Sequence, residues 1–167
     1  MSVAIASFPA APLDRTARLM TRLVWALAGF LLVIAAVVAA NEPVAGGVLL
    51  LAALLDAGLG WWLRRREPVA YVLEDDSLVV ERKGSRPERI RGVAGGAHRG
   101  KLGLRVAGDG GAYGYLGKFR AGGETVSAFV TNRKDVVLVT VGGRPLALSP
   151  ADPDAFIAAL GGGDGDA

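Results

Sequence analysis

The chain has 167 residues, of which 51% are hydrophobic, and carries a formal net charge of +3 at pH 7. This length accommodates one small domain plus additional segments. The chain contains no cysteine and one histidine, His98, so we expect no disulfide, no thiol nucleophile and no metal site. The charge is too small to indicate a nucleic-acid partner, and no motif predicts a catalytic residue or a cofactor.

The N-terminal half contains a short polar arm followed by two long apolar stretches. Residues 1–18 include Pro9, Pro12 and mostly small side chains, which predicts a mobile arm. Residues 23–40 carry no charge, residues 41–43 interrupt the pattern, and residues 44–63 carry one acid. A helix rises ~1.5 Å per residue, so each stretch can cross the hydrocarbon core of a bilayer. We therefore predict a transmembrane helical hairpin within residues 19–66.

Two alternatives to this hairpin remain open at this point. The first is a helix pair buried in a soluble protein. Both stretches are apolar on all faces, which argues against this alternative. The second is a signal peptide cleaved after Ala40. Its apolar run is longer than the usual signal core, and more than twenty residues precede it.

Basic residues predict how the hairpin is oriented. Arg15, Arg18 and Arg22 precede the first stretch, whereas the connecting turn carries only Glu42. Because Lys and Arg favour the cytoplasmic side, we expect an integral plasma (inner) membrane protein with both termini and the following domain in the cytoplasm. Five residues at the end of the second helix are predicted to anchor it at the interface: Trp61, Trp62, Arg64, Arg65 and Arg66.

Asp56 is the one charged residue inside the predicted membrane segments. It could be a protonated or hydrated carboxyl group, or a polar contact between helices or subunits. Intramembrane acids often mark ion pathways, so a proton or ion path is the third alternative.

From residue 69 onward the hydrophobic residues recur at every second position, which is typical of strands. Turn residues separate the segments, for example Asp75, Asp76 and Ser77 between the first two. Residues 136–141 are almost wholly apolar, which favours a central strand. We predict about seven strands from eight candidate segments, the shortest of which is 89–91: 71–74, 78–81, 89–91, 102–107, 113–119, 126–131, 136–141 and 145–148.

One helix is predicted at the end of the domain. Ser149 followed by Pro150 can begin it, and Asp152 followed by Pro153 is a rival start. An apolar face then recurs at helical spacing, and glycine closes the helix. Its residues are Phe156, Ile157, Leu160 and the closing Gly161. Residues 161–167 are predicted to be a disordered tail.

Several segments of this half resemble a bacterial pleckstrin-homology (PH) domain family of small membrane proteins. The resemblance is carried by residues 114–119, residues 131–134 and residues 148–153, with the opening hairpin of residues 71–80. It implies a mainly-β, PH-like split barrel over residues 69–160 with a C-terminal capping helix. It also implies a binding or scaffolding module without catalytic residues.

Two clusters outside the membrane segments suggest anion binding. Residues 95–102 nearly match a phosphate-binding loop, but Leu102 replaces the Ser or Thr, and no helix follows. We read them as a flexible loop with His98 solvated. A basic cluster is a better candidate for weak contact with anionic lipid, although an ordinary solvated face is the alternative. Its members are Arg82, Lys83, Arg86, Arg89 and Arg91.

The sequence thus predicts a membrane-anchored cytoplasmic PH-like module that engages a protein partner or another copy of itself. A sensor of anionic lipid or of a small ligand is the first alternative. A transport or proton-coupled component that uses Asp56 is the second. No enzymatic activity, cofactor or nucleic-acid partner is expected.

Overall fold

The computed structural model describes residues 4–161 and contains three helices and ten strands. The helices are α1 (Arg15–Ala39), α2 (Pro43–Arg66) and α3 (Pro153–Ala159). The strands are β1 (Ala4–Pro9), β2 (Pro68–Glu74), β3 (Ser77–Arg82), β4 (Glu88–Arg91), β5 (Ala94–Gly100), β6 (Arg105–Gly111), β7 (Gly114–Ala121), β8 (Glu124–Val130), β9 (Val136–Val141) and β10 (Arg144–Leu148).

Helices α1 and α2 form the predicted hairpin, and both are long and apolar enough to cross a membrane. Pro43 is the first residue of α2, a position where its missing N–H is tolerated. Small residues bring the helices close together. A Cβ atom at Gly46 would lie 2.5 Å from the Cβ of Ala39, and one at Gly60 would lie 3.0 Å from Val24. The outer surfaces stay uncovered, as Val37 shows with 66% exposure.

The strands form two sheets. The first has the order β1-β2-β3-β4 and is antiparallel throughout. The second has the order β5-β9-β10-β8-β7-β6 and contains one parallel pair, β10 with β8. The predicted strand at residues 136–141 is confirmed as β9, which has a partner on each side. The mainly-β fold with a C-terminal helix is therefore confirmed, with ten strands in place of about seven.

Helix α3 closes the larger of two hydrophobic cores. Phe156 is fully buried there, with its ring centroid 5.1 Å from that of Phe8 and 6.2 Å from that of Tyr71. The Tyr71 hydroxyl donates to the Phe129 carbonyl at 2.6 Å and accepts from the Ser149 N–H at 3.2 Å. Burial raises the pKa of Tyr71 to about 12. This core joins β1, both sheets and α3 into one unit.

At the chain termini, one prediction is wrong and one open alternative is decided. The predicted mobile arm is wrong for residues 4–9, which form β1 and pair with β2. Helix α3 begins at the rival start, because the Asp152 side chain accepts from the Ala155 N–H at 3.0 Å. Ser149 instead accepts from the Thr131 N–H inside the core. Of the predicted disordered tail, residues 162–167 lie outside the described part of the chain.

The two edge strands of the second sheet also differ from the prediction. The glycine-rich segment expected to be a flexible loop forms most of β5. The strand predicted at residues 102–107 instead starts at Arg105 and continues to Gly111. A bulge between Arg105 and Ala107 shifts the register of β6 against β7. That shift breaks the simple alternation on which the prediction rested.

Candidate functional site

Helix α1 is joined to the second sheet at its N-terminal end. Asp14 caps the helix by accepting from the Ala17 N–H at 2.8 Å, and Ala17 is fully buried in the smaller core. The Tyr115 hydroxyl donates to the same carboxylate at 3.2 Å. Burial, and next the Asp14 charge, raises the pKa of Tyr115. The first turns of α1 are therefore part of the β domain.

The turn between β6 and β7 makes the second contact with α1. Tyr113 adopts φ = 57°, a left-handed conformation that is uncommon for a residue other than glycine. Its N–H donates to the Thr21 hydroxyl at 3.0 Å, and its hydroxyl accepts from the Trp25 indole N–H. These tertiary contacts stabilise the turn. Because Trp25 lies within the apolar stretch that starts at residue 23, the turn reaches the level where that stretch begins.

The end of α2 makes a separate contact with the first sheet. Arg65 donates through Nε to the Gly84 carbonyl at 2.7 Å, and its guanidinium lies 4.7 Å from the Trp61 ring centroid. The Arg66 guanidinium lies 3.6 Å from the Trp62 ring centroid. Four of the five predicted anchors thus form two cation–π pairs. The fifth, Arg64, is exposed.

Asp56 lies beside the β6–β7 turn. It borders a cavity of about 310 Å³ together with Asp109 of β6 and Leu23 of α1. Its Oδ2 atom is buried and has no hydrogen-bond partner among the described residues. No basic residue lines this cavity within the described part of the chain.

The predicted basic cluster lies on β3, β4 and their connection, but acids pair with much of it. Arg82 forms an ion pair with Glu88. Arg86 and Arg91 are exposed and form no ion pair within residues 4–161. The remaining two pairs join Lys83 to Glu67 at 3.4 Å and Arg89 to Glu74 at 2.6 Å. The cluster therefore presents less free charge than its composition suggests.

A cleft of about 340 Å³ opens between the two sheets at the end of α2. Three bases line it, namely Arg66, Arg82 and Lys118, together with the acids Glu88 and Asp109. The Arg82 guanidinium lies 5.6 Å from the Phe129 ring centroid, and its Nε has no hydrogen-bond partner among the described residues. We call this site the inter-sheet cleft.

Sequence reasoning did not identify the inter-sheet cleft. Lys118 belongs to β7 and Asp109 to β6, so both are distant in sequence from Arg66 and Arg82. The pairing of β6 with β7 brings Asp109 and Lys118 onto neighbouring strands, and the packing of the two sheets brings them to Arg66 and Arg82. The alternation of charged and apolar residues predicted the strand, but it did not predict which residues of the other sheet lie opposite it.

One of the two edges of the second sheet exposes apolar side chains. Strand β6 forms this edge. Leu104, just before the strand, is 82% exposed, and Val106 within it is 55% exposed. Both belong to the segment predicted as a strand at residues 102–107. They stay exposed because no element of the described chain covers that end of the edge.

The structure does not support phosphate binding by residues 95–102, the segment that nearly matches a phosphate-binding loop. His98 is exposed, and its Nδ1 lies 3.0 Å from the Gly96 carbonyl oxygen. The segment pairs with β9 as a strand and does not open a helix, so it lacks the helix N-terminus that binds phosphate in such loops. No group of three potential metal ligands occurs within the described residues.

Comparison with known proteins places the β domain in a family. Residues 69–162, more than half of the chain, match the family described as bacterial PH domain. No curated protein and no solved structure matches the chain. The match covers β2 through α3, which includes both sheets except for β1. The chain therefore belongs to the bacterial PH domain family.

Proposed function

We propose that this chain is an integral plasma-membrane protein whose PH-like domain lies on the cytoplasmic side and binds a protein partner. PH domains are generally non-catalytic binding modules, and we propose no enzymatic activity and no cofactor. The observation that carries the partner proposal is the free edge at β6, where Leu104 is 82% exposed and Val106 is 55% exposed. Exposed apolar side chains on an unpaired edge favour association with another chain.

Membrane insertion is supported by the exposure of the helix pair. Only 11% of the most apolar window of α1 and 17% of that of α2 are buried, which disfavours the helix pair of a soluble core. Cleavage after Ala40 would remove β1 and Ala17 from the two cores, which disfavours the signal peptide.

Orientation is supported by the arginines. Arg15, Arg18 and Arg22 lie in the first turns of α1, and the last turn of α2 contains three more at residues 64–66. Only Glu42 is charged at the opposite end. Under the positive-inside rule, this distribution supports a cytoplasmic location for both termini.

Cysteine labelling tests the topology, because the chain contains no native cysteine. Asn41→Cys, at the exposed helix connection, should react with an impermeant thiol reagent on intact cells. Thr125→Cys, exposed on β8, should react only after permeabilisation. The reverse pattern would refute the orientation.

Site-specific photocrosslinking tests the partner proposal. A photoreactive residue at position 104 or 106 should give a discrete crosslinked product, whereas one at Thr125 should not. Leu104→Glu should abolish the product formed from position 106. A product at twice the chain mass would identify another copy of this chain as the partner. Equal crosslinking at all three positions would refute a specific edge interaction.

A further inference from the structure

We propose that the exposed edge of β6 binds an extended acidic segment of another protein, which adds to the second sheet as a further strand. This inference deepens the partner binding proposed above and rests on it. The surface consists of two apolar residues and the three bases around them. We call it the β6 edge patch, and its members are Leu104, Val106, Lys101, Arg105 and Arg120.

The backbone of β6 is open to a further strand. It pairs with β7 and with no other strand of the described chain, and its residues from Arg105 to Gly108 are all exposed. An unpaired edge offers N–H and C=O groups to an incoming strand, and strand addition is a recurrent mode of peptide binding. The free stretch ends at Gly108, whose carbonyl accepts from the Arg105 guanidinium at 3.2 Å.

The charges of the patch favour an acidic occupant. Its three bases are exposed and form no ion pair within the described residues. No acid occurs in residues 101–108 or 117–123, which contribute this end of β6 and β7. The Arg120 N–H donates to the Leu104 carbonyl at 2.8 Å, so this base on β7 lies beside the apolar residues.

The bases also lie on both faces of the sheet. Arg105 is paired with Phe119 of β7, so these two side chains share a face. Arg120 follows Phe119 along the strand and points to the opposite face. Carboxylates on either face of an added strand would therefore meet a base, while its apolar residues cover Leu104 and Val106.

Strand β6 runs along the first turns of α1 toward the predicted membrane segment. At one end, Arg133 donates to the Leu102 carbonyl at 2.9 Å, and its N–H donates to Asp14, the cap of α1. At the other end, a Cβ atom at Gly111 would lie 3.3 Å from Met20 of α1. The β6 edge patch is therefore at the end of the strand that lies away from the membrane.

This position disfavours two other occupants. Val106 lies five residues before the end of β6 at Gly111, which is about 16 Å at ~3.3 Å per residue. That is about twice the Debye length of ~8 Å, so lipid headgroups at the level of the β6–β7 turn attract the patch weakly. A second copy in the same bilayer would present β6 in the same direction, whereas antiparallel pairing of two β6 strands needs one of them reversed.

Fluorescence anisotropy of labelled peptides with the full-length protein in detergent tests the proposal. The probe is a peptide of about ten residues in which valine and glutamate alternate, a length typical of a long strand. In the first control peptide, lysine replaces glutamate. In the second, proline replaces two central valines of the probe, because proline cannot donate to a strand ladder.

We expect the glutamate probe to bind and both control peptides to fail. Arg105→Glu should weaken that binding about tenfold, because it replaces an attraction by a repulsion. Arg91→Glu is the matched control, since Arg91 is exposed on β4 in the other sheet, and it should change binding less than about twofold. The double variant Lys101→Glu with Arg105→Glu should bind the lysine peptide instead, which a misfolded protein would not do.

Absence of binding by the glutamate probe, or equal weakening by Arg105→Glu and Arg91→Glu, would overturn the proposal. Loss of phosphatidylglycerol vesicle binding on Arg105→Glu, without probe binding, would assign the patch to lipid and overturn it as well. A crosslinked product from position 106 at twice the chain mass would do so in favour of a second copy.

The crosslinking from position 106 also separates this proposal from the partner function on which it rests. A discrete product with a different protein, combined with no probe binding, would refute the acidic strand and leave the partner function standing. Probe binding that depends on Arg105, combined with no crosslinked product in cells, would support the acidic-strand site and refute the partner function.

Discussion

Replacing Phe156 by alanine should remove a large part of the stability of the β domain. The side chain is fully buried against Phe8 and Tyr71. Burying ~150–250 Å² of aromatic surface at ~25 cal/mol per Å² contributes about 4–6 kcal/mol as an upper bound. Core Phe→Ala changes cost ~3–5 kcal/mol. We therefore expect Phe156→Ala to cost about 4 kcal/mol, against a total of roughly 5–15 kcal/mol.

Urea unfolding of the full-length chain in detergent measures this loss, with hydrogen exchange in β8, β9 and β10 as the local readout. Ile157→Ala is the control, because Ile157 is the next residue of α3 and is only half-buried. It should cost about 1–2 kcal/mol, less than full burial would give. Equal losses for Phe156→Ala and Ile157→Ala, or a loss below about 1 kcal/mol for Phe156→Ala, would refute the assignment of α3 as the cap of the core.

Three further changes test the contacts of single residues. Tyr71→Phe should cost about 1–3 kcal/mol, because it leaves the Ser149 N–H and Phe129 carbonyl without their buried partner. In the folded protein the pKa of Tyr71 is raised from 10.0 to about 12. The wild type should therefore lose about 2–3 kcal/mol of stability between pH 10 and 12, whereas Tyr71→Phe should not. Tyr113→Phe should raise hydrogen exchange in the β6–β7 turn, because it removes the hydroxyl that accepts from the Trp25 indole N–H. The control Trp61→Phe should not raise it. Asp56→Asn and Asp56→Leu should both keep the melting temperature in detergent, because Oδ2 has no partner to lose within the described chain, and an ion flux abolished by Asp56→Asn would instead favour transport.

The elements that sequence predicted well are those whose pattern is local. The long apolar stretches fix α1 and α2 because hydrocarbon length and helical rise leave little choice. Asp75 and Asp76 end one strand before the next begins, so the β2–β3 hairpin follows from turn chemistry. Phe156 was correctly placed in the core because its spacing from Leu160 indicates one helical face. Each of these conclusions uses residues that are neighbours along the chain.

The errors concern segments whose state depends on distant partners. Residues 4–9 have no strong strand pattern of their own and become β1 because β2 offers a free edge and Phe156 offers a surface for Phe8. The glycines of β5 likewise form a strand because β9 pairs with them. Local propensity is a weak guide where tertiary pairing decides the conformation. The inter-sheet cleft was missed for the same reason, since Lys118 and Arg66 meet only in the folded domain.

On the proposed membrane orientation, the two ends of β6 lie at different distances from the bilayer. Strand β6 has seven residues, so at ~3.3 Å per residue it extends about 23 Å. Its C-terminal end leads into the turn that contacts Trp25, and its N-terminal end follows Leu104. On the proposed orientation, the β6–β7 turn therefore lies near the lipid surface, and the exposed apolar residues at the N-terminal end of β6 lie farther from it. Because α1 and α2 each contact the domain separately, the two helices together fix the height and tilt at which this edge would be presented to a partner.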